Sequence, residues 1–161
     1  MAHETCRLAK IDAVLVVAAI RFRGEARRVG TSFDHLLQWA QVNHVEQWGP
    51  LVGMYLDPAA AGGEVEGEAW LPIPPELRGM DTADAQVVVK EIAPHTVARC
   101  THRGFPDGLG AGVARLLDWV RDCGLERAAP LHRQVYRAAP KGEPGAWVVD
   151  IEIPVVCGER E

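Results

Sequence analysis

Alternating and helical patterns of apolar residues predict two segments of the chain, each in the order strand, helix, strand, strand. The β-branched run Val14–Phe22 predicts the first strand, and Gln86–Thr101 predicts its counterpart in the second segment. A helical pattern follows each strand, beginning after Thr31 or Ser32 as N-cap in the first case and near Pro106 in the second. Two further strands close each segment: Leu51–Leu56 with Glu66–Ile73, and Leu131–Tyr136 with Trp147–Val155.

Each predicted helix carries one apolar stripe, which is typical of a helix that packs on a sheet. The stripe residues are Phe33, Leu36, Leu37 and Ala40 in the first helix, and Leu109, Val113, Leu116, Leu117 and Val120 in the second. Trp39 and Trp119 occupy matched positions in the two helices, where packing against the sheet is favoured over ligand contact. Gly124 is placed just past the end of the second helix.

The sequence repeats itself with a period near 80 residues. Five blocks recur in the same order: Val17–Gly24 with Val97–Gly104, Phe33–Trp39 with Val113–Trp119, Pro50–Leu51 with Pro130–Leu131, Tyr55 with Tyr136, and Leu71–Pro72 with Ile153–Pro154. The repeat predicts an α+β fold, a tandem β-α-β-β duplication with pseudo-two-fold symmetry. The expected architecture is one domain over residues 1–161, with halves at about 13–75 and 85–156. The helices would lie on one face of an antiparallel sheet.

Alternation along the closing strands predicts a second face, opposite the helices. Its expected residues are Glu66, Glu68, Trp70, Asp150 and Glu152, together with the aromatic residues Tyr55 and Tyr136. A cleft between the halves, walled by carboxylates and aromatic rings, would suit a flat or cationic organic ligand. The alternative is that the acidic residues form the solvated side of an antiparallel sheet.

Composition argues against several other functions. Twenty-two acidic residues against 17 basic ones give a net charge of −5, which argues against nucleic-acid binding by the chain alone. The longest apolar run, Ala13–Ile20, is far shorter than the roughly 20 residues of a membrane-spanning helix. No secretory signal precedes it, so we expect a cytoplasmic protein without membrane partners. Ser32 is the only serine, and no G-x-S-x-G motif surrounds it, which excludes a serine-triad hydrolase.

Cysteine and histidine spacing predicts neither a metal site nor a cofactor. The four cysteines include no C-x-x-C pair, and the six histidines do not cluster at ligand spacing. Widely separated cysteines are typical of reduced thiols. The glycine-rich stretch Gly104–Gly112 has Val113 where a dinucleotide fingerprint needs its third glycine, so it predicts a loop that enters a helix.

Six segments together resemble a known family, the gyrase-inhibitor-like small-molecule-binding domains. These domains also form the effector domain of multidrug-responsive transcription activators. The matching segments are Gly30–Trp39, Gly53–Pro58, Glu68–Pro74, His102–Gly104, Gln134–Tyr136 and Asp150–Val155. The resemblance runs from about Ala13 to Val156, nearly the whole chain.

The resemblance implies a ligand cleft between two β-α-β-β halves, and capture or sensing of drugs or toxins. The residues that match cleft positions are Tyr55, Glu68, Trp70, Tyr136, Asp150 and Glu152. Gln134 stands where the family usually has glutamate, which removes one negative charge from the cleft. Phe105 is either a rim contact or a hydrophobic staple, and Trp147 either folds over the cleft or lies on the hairpin surface.

Three functions are compatible with this pattern. The first is binding or sequestration of a hydrophobic or aromatic ligand, with cations included. The second is hydrolysis of an electrophilic, cyclopropane-type genotoxin, with Glu68 or Glu152 activating water. The third is a gyrase-inhibitor-type module whose partner is gyrase or a regulator. If Glu152 is a buried carboxylate that a cation would relieve, Glu152→Gln should leave the fold intact.

Overall fold

The computed structural model describes residues 2–3, 5–25, 28–57 and 65–156. Strands and two α-helices follow one another in the order β1 (Ala2–His3), β2 (Arg7–Ile11), β3 (Leu15–Gly24), α1 (Arg28–Val42), β4 (Val52–Leu56), β5 (Val65–Pro72), β6 (Val88–Ile92), β7 (His95–Arg103), α2 (Leu109–Asp122), β8 (Glu126–Arg127), β9 (Leu131–Ala138) and β10 (Val148–Val156). The strand pairs β1–β7, β2–β7, β7–β10, β8–β10, β9–β10, β3–β5, β3–β6 and β4–β5 are all antiparallel. The predicted α+β class is therefore confirmed. Neither α-helix of the described residues is long and apolar enough to cross a membrane.

The chain contacts divide it into two units. The first unit is Ala13–Pro94, and the second comprises Met1–Asp12 and His95–Glu161. Strand order in the first unit is β4-β5-β3-β6. In the second unit β10 lies between β9 and β7, β1 and β2 both pair with β7, and β8 pairs with β10. Both units thus have the order strand, helix, strand, strand, with the last strand between the other two.

Strand β2 precedes β3 in the chain but pairs with β7 of the second unit. Likewise, β6 precedes β7 in the chain but pairs with β3 of the first unit. Leu8 of β2 lies opposite Ala98 of β7, and Val89 of β6 lies opposite Ala18 of β3. Backbone N–H and C=O groups at a sheet edge need partners, and these added strands supply them. The first unit consequently continues past residue 75 to Pro94.

The strands of the first unit are called the first sheet below, and those of the second unit the second sheet. Helix α1 covers the apolar face of the first sheet. Leu36, Trp39 and Ala40 pack against the side chains of β3 and β5, which confirms the helix-packing interpretation of Trp39. The predicted N-cap at Thr31 or Ser32 is wrong, because the helix begins at Arg28. The extra turn forms because it brings Val29 against the same core. Leu37, a predicted stripe residue, is exposed.

Helix α2 covers the second sheet in the same way. Leu116 and Val120 pack against Val149, Ile151 and Ile153 of β10, as the stripe predicts. A 3₁₀ turn over Pro106–Gly108 precedes the helix, and Gly124 follows its end with φ of 69°. β3 and β7 end alike, since Gly24 and Gly104 have φ of 116° and 114°, a region that favours glycine.

Candidate functional site

Strand register places the two tyrosines and the carboxylates on opposite faces. In the second unit Tyr136 lies directly opposite Val149, a core residue beneath α2. In the first unit Tyr55 lies opposite Gly67, on the face that also carries Ala69 of the helix-packed core. Residues directly opposite in an antiparallel pair project to the same side. Tyr55 and Tyr136 therefore project to the helix side of their sheets, and the prediction that they share a face with the carboxylates is wrong.

A row of polar and aromatic side chains follows β9 on its helix side. The Tyr136 hydroxyl donates a hydrogen bond of 2.8 Å to Oε1 of Gln134, and Nε2 of Gln134 lies 3.2 Å from Nε2 of His132. The Trp147 ring meets Tyr136 edge to face, with centroids 6.1 Å apart and planes at 86°. Trp147 is half-buried against the hydrophobic core beneath α2 and does not simply lie on the surface of the hairpin. The row combines ring surfaces with an uncharged amide.

Phe105 lies beside the loop that carries Trp147. Its ring is 3.3 Å from the position that a Cβ on Gly145 would occupy. Its backbone oxygen is 2.7 Å from Nε2 of the buried His102, a hydrogen bond that fixes the entrance to α2. Phe105 is 62% exposed, whereas a hydrophobic staple would bury the ring against the helix. The exposure favours the rim-contact interpretation.

In the first unit, Tyr55 is held by a ring contact and by a glycine. Its ring meets Phe22 edge to face, with centroids 5.7 Å apart. The phenol folds back over Gly53, where an added Cβ would stand only 2.8 Å from the Tyr55 hydroxyl oxygen. Position 53 therefore requires glycine for this placement of the tyrosine, because any larger residue would displace the ring.

The opposite face of the second sheet contains a buried ion-pair network. Glu152 is only 3% exposed. Its Oε2 accepts hydrogen bonds from Nε and Nη2 of Arg99, at 2.9 and 2.7 Å, and its Oε1 accepts one of 2.9 Å from Nη2 of Arg133. Burial lowers the pKa of the Arg133 guanidinium, and the adjacent Glu152 charge opposes this change. Both carboxylate oxygens of Glu152 thus face guanidinium groups.

Asp150 belongs to the same network. It accepts hydrogen bonds of 2.6 Å from Thr101 and 2.9 Å from Nε of Arg137, and Arg99 lies 4.0 Å away. Burial acts to raise the pKa of Asp150, but the hydrogen bonds from Thr101 and Arg137 outweigh it and hold the pKa below its ordinary value. Asp150 and Glu152 are both buried, so the interpretation of these two residues as a solvated sheet face is wrong.

In the first unit the corresponding carboxylate is neutralised by a lysine. Oε1 of Glu68 accepts hydrogen bonds from Nζ of Lys90, at 2.6 Å, and from the indole N–H of the buried Trp70, at 2.8 Å. Lys90 also lies 5.8 Å from the centroid of the Trp70 ring, within the range of a cation–π contact. Glu66 pairs with Arg21 at 3.4 Å and Arg23 at 3.9 Å.

The basic partners were missed by sequence reasoning, although a signal for them exists. Arg99 lies in the middle of β7, between the apolar residues Ala98 and Cys100. Arg133 lies in β9, between His132 and Gln134. A buried carboxylate needs a compensating charge or hydrogen bonds. Basic residues on the two strands that neighbour β10 are therefore the candidates for partners of Asp150 and Glu152.

Solved structures share this fold at low sequence identity. The C-terminal domain of EcmrR aligns with a TM-score of 0.72 and 16% identity, over 97% of this chain and 99% of that chain. A hydrolase from Listeria innocua gives a TM-score of 0.58 and 14% identity, over 93% and 92% of the two chains. SAV2435, solved with tetraphenylphosphonium bound, gives 0.61 and 12% identity, over 95% and 94%. The chain spans 57% of the length of EcmrR in that protein's complex with DNA.

Sequence comparison gives the family. No curated protein sequence matches the chain. Residues 13–156, which include every strand and helix from β3 to β10, match the GyrI-like small molecule binding domain. This agrees with the resemblance carried by Gly30–Trp39, Gln134–Tyr136 and the other segments named above. The chain is a member of the GyrI-like small molecule binding domain family.

Proposed function

We propose that the protein captures an uncharged aromatic small molecule on the helix side of β9, with Tyr136, Trp147 and Gln134 as its contacts. The observation that carries the proposal is the row in which two rings meet edge to face beside a neutral amide. Ring surfaces supply stacking area, and the amide offers a donor and an acceptor to a polar substituent. The exposed ring of Phe105 adds an apolar contact at the margin, and Tyr55 offers a similar surface in the first unit.

The positions of the charged residues favour an uncharged ligand on the helix side. Within the described residues, β4, β5, β9 and β10 place no aspartate or glutamate on their helix side. Glu68, Asp150 and Glu152 project to the other side and already pair with basic residues. A cation on the helix side would lose hydration without gaining a countercharge. SAV2435 binds an aromatic cation, which supports aromatic capture by this fold, while Gln134 favours a different charge preference here.

Binding without hydrolysis follows from the same ion pairs. A general base needs an oxygen that can reach a water molecule beside the ligand. Both oxygens of Glu152 accept hydrogen bonds from arginines, and Glu68 is held by Lys90 and Trp70. Neither carboxylate shares a face with the aromatic row. We therefore propose sequestration or sensing of the ligand, with the ligand released unchanged.

A planar pair of probes tests the charge preference. N-methylacridone is uncharged and N-methylacridinium is cationic, and the two have nearly the same shape. We expect the wild-type protein to bind the acridone more tightly, as measured by calorimetry and by quenching of tryptophan fluorescence. In Gln134→Glu the new carboxylate should raise the affinity for the acridinium about tenfold, the scale of a charge-assisted contact. Chromatography should recover both probes chemically unchanged.

The control is Gln41→Glu, which makes the same chemical change on the exposed side of α1. It should leave both affinities as in the wild-type protein. Equal gains in Gln134→Glu and Gln41→Glu would show that the gain is a general effect of net charge, and would contradict the proposed site. Tighter binding of the acridinium by the wild-type protein would contradict the preference for uncharged ligands.

A further inference from the structure

The first unit contains a second groove, along the outer edge of β3. Strand β6 covers that edge only from Leu15 to Ala19, and no other strand within the described residues pairs with it beyond this point. In the second unit the matching end of β7 pairs with β1, opposite His102 and Arg103. The uncovered part of β3 and the start of α1 enclose a groove of about 690 Å³. This volume lies within the range of about 300–1,000 Å³ that is usual for small-molecule sites.

Positive charge dominates the rim of this groove. Arg21, Arg23 and Arg28 line it, and among the described lining residues Glu25 is the one acidic residue. Glu66 on the neighbouring strand lies 3.4 Å from Arg21 and 3.9 Å from Arg23, both long for ion pairs with mostly exposed partners. Among the described residues, these three arginines outnumber the two carboxylates by one, although the whole chain carries a net charge of −5.

The start of α1 adds a hydroxyl group that lines the groove. Ser32 lines the groove and is only 8% exposed. Its hydroxyl group can donate a hydrogen bond to an acceptor on a ligand in the groove. Ser32 follows Arg28 by one helical turn, so the two side chains lie on the same side of α1.

The opposite wall of the groove is apolar. Ile20 and Phe22 belong to the buried face of β3 and line the groove. His35 lines the wall formed by α1, and its Nε2 lies 2.6 Å from Oδ2 of Asp84. This contact ties α1 to the segment that leads into β6. The groove therefore has one apolar side and several hydrogen-bond donors.

We propose that this groove binds a small organic anion, with a phosphate, sulfonate or carboxylate head and a short apolar body. Arg28 and the Ser32 hydroxyl would hold the head, and Arg21 would supply further positive charge. Ile20 and Phe22 would contact the apolar body. The start of α1 favours an anion in addition, because helix N-termini carry partial positive charge. The site involves neither Gln134 nor Tyr136, so a test of this site is independent of a test of the function proposed above.

The arginines on β3 also have a protective explanation, because charged residues at an open sheet edge discourage pairing between chains. Two features exceed what protection requires. Arg28 lies on the helix rather than on the strand edge, and the uncharged Ser32 hydroxyl contributes nothing to repulsion between edges. An anion site accounts for both.

Amide chemical shifts in uniformly ¹⁵N-labelled protein test the proposal. Titration with phenyl phosphate should shift the amides of Gly24, Gly30 and Ser32 in a saturable manner, and more tightly than inorganic phosphate does. Benzyl alcohol, which lacks the charge, should leave these amides unmoved. Arg28→Gln should weaken phenyl phosphate binding about tenfold, the scale of a lost charged hydrogen bond. Ser32→Ala should weaken it severalfold without destabilising the helix, because alanine is the better helix former.

The matched control is Arg78→Gln, which removes an exposed arginine of the same unit outside the groove. Its affinity for phenyl phosphate should equal that of the wild-type protein. Equal weakening in Arg28→Gln and Arg78→Gln would overturn the proposal in favour of unspecific charge attraction. Equal affinity for inorganic and phenyl phosphate would overturn the assignment of Ile20 and Phe22 as contacts. If Arg21→Gln and Arg28→Gln promote self-association while phenyl phosphate moves no groove amide, the arginines only protect the edge.

Discussion

Replacing Glu152 with glutamine removes the charge that holds two arginines beneath the second sheet. Arg99 and Arg133 approach Glu152 at 2.7 and 2.9 Å, and the carboxylate is 3% exposed. The amide of glutamine offers one acceptor oxygen and turns two N–H donors toward guanidinium groups that are donors themselves. Breaking a buried ion pair by removing one partner costs about 3–5 kcal/mol. We therefore expect Glu152→Gln to destabilise the protein by about 3 kcal/mol. The earlier expectation of an intact fold assumed that Glu152 had no basic partner.

Urea unfolding followed by circular dichroism at pH 7 measures this change. With an m-value of about 2 kcal/mol/M, the midpoint should fall by about 1.5 M. Glu66→Gln is the control, because its partner Arg21 has a side chain that is 79% exposed and an exposed pair contributes about 0–1 kcal/mol. Adding Arg133→Met to Glu152→Gln should recover about 1–3 kcal/mol, since the second buried charge is then removed as well. Equal losses for Glu152→Gln and Glu66→Gln would refute the buried network.

Two further predictions concern Asp150 and the cysteines. The pKa of Asp150 is lowered by folding, so its contribution to stability is present above the ordinary carboxyl pKa of about 4 and is lost as the pH falls through the lowered value. Asp150→Asn should therefore lower the urea midpoint at pH 7, with a difference from the wild-type protein that shrinks at acidic pH. Burial and the neighbouring Cys6 raise the pKa of Cys100 to about 11, whereas Cys123 is exposed. Iodoacetamide at pH 8 should alkylate Cys123 rapidly and Cys100 only in urea, as mass spectrometry of peptides would show; rapid modification of Cys100 in the folded protein would contradict this.

The start of α1 shows how tertiary packing moves an element boundary. Thr31 and Ser32 are good N-cap residues by their chemistry, and local preference places the helix start there. Burial of Val29 against the core stabilises one more turn, so the helix begins at Arg28. Ser32 then lies inside the helix and faces the groove. The local signal was sound, and a contact distant in sequence outweighed it.

The assignment of faces failed for a different reason. Alternation shows which residues of one strand share a face, as Gln134 and Tyr136 do. It does not show which face of the neighbouring strand they join, because a shift of one residue in register exchanges the faces. The register places Tyr136 opposite Val149, and a β-bulge between Val148 and Val149 changes the parity locally. Only the paired strands reveal that the aromatic row lies on the helix side.

The sequence by itself determined the α+β class, the order of the main strands and helices, and the apolar faces of α2, β5 and β10. These features depend on periods of 3.6 and 2 residues, which are local properties of the chain. The tertiary structure decided which strands exchange between units and which side chains meet. Arg99 and Glu152 are 53 residues apart in the chain, and their ion pair depends on strand pairing that no local pattern encodes. Register and long-range packing therefore decided the chemistry of both faces.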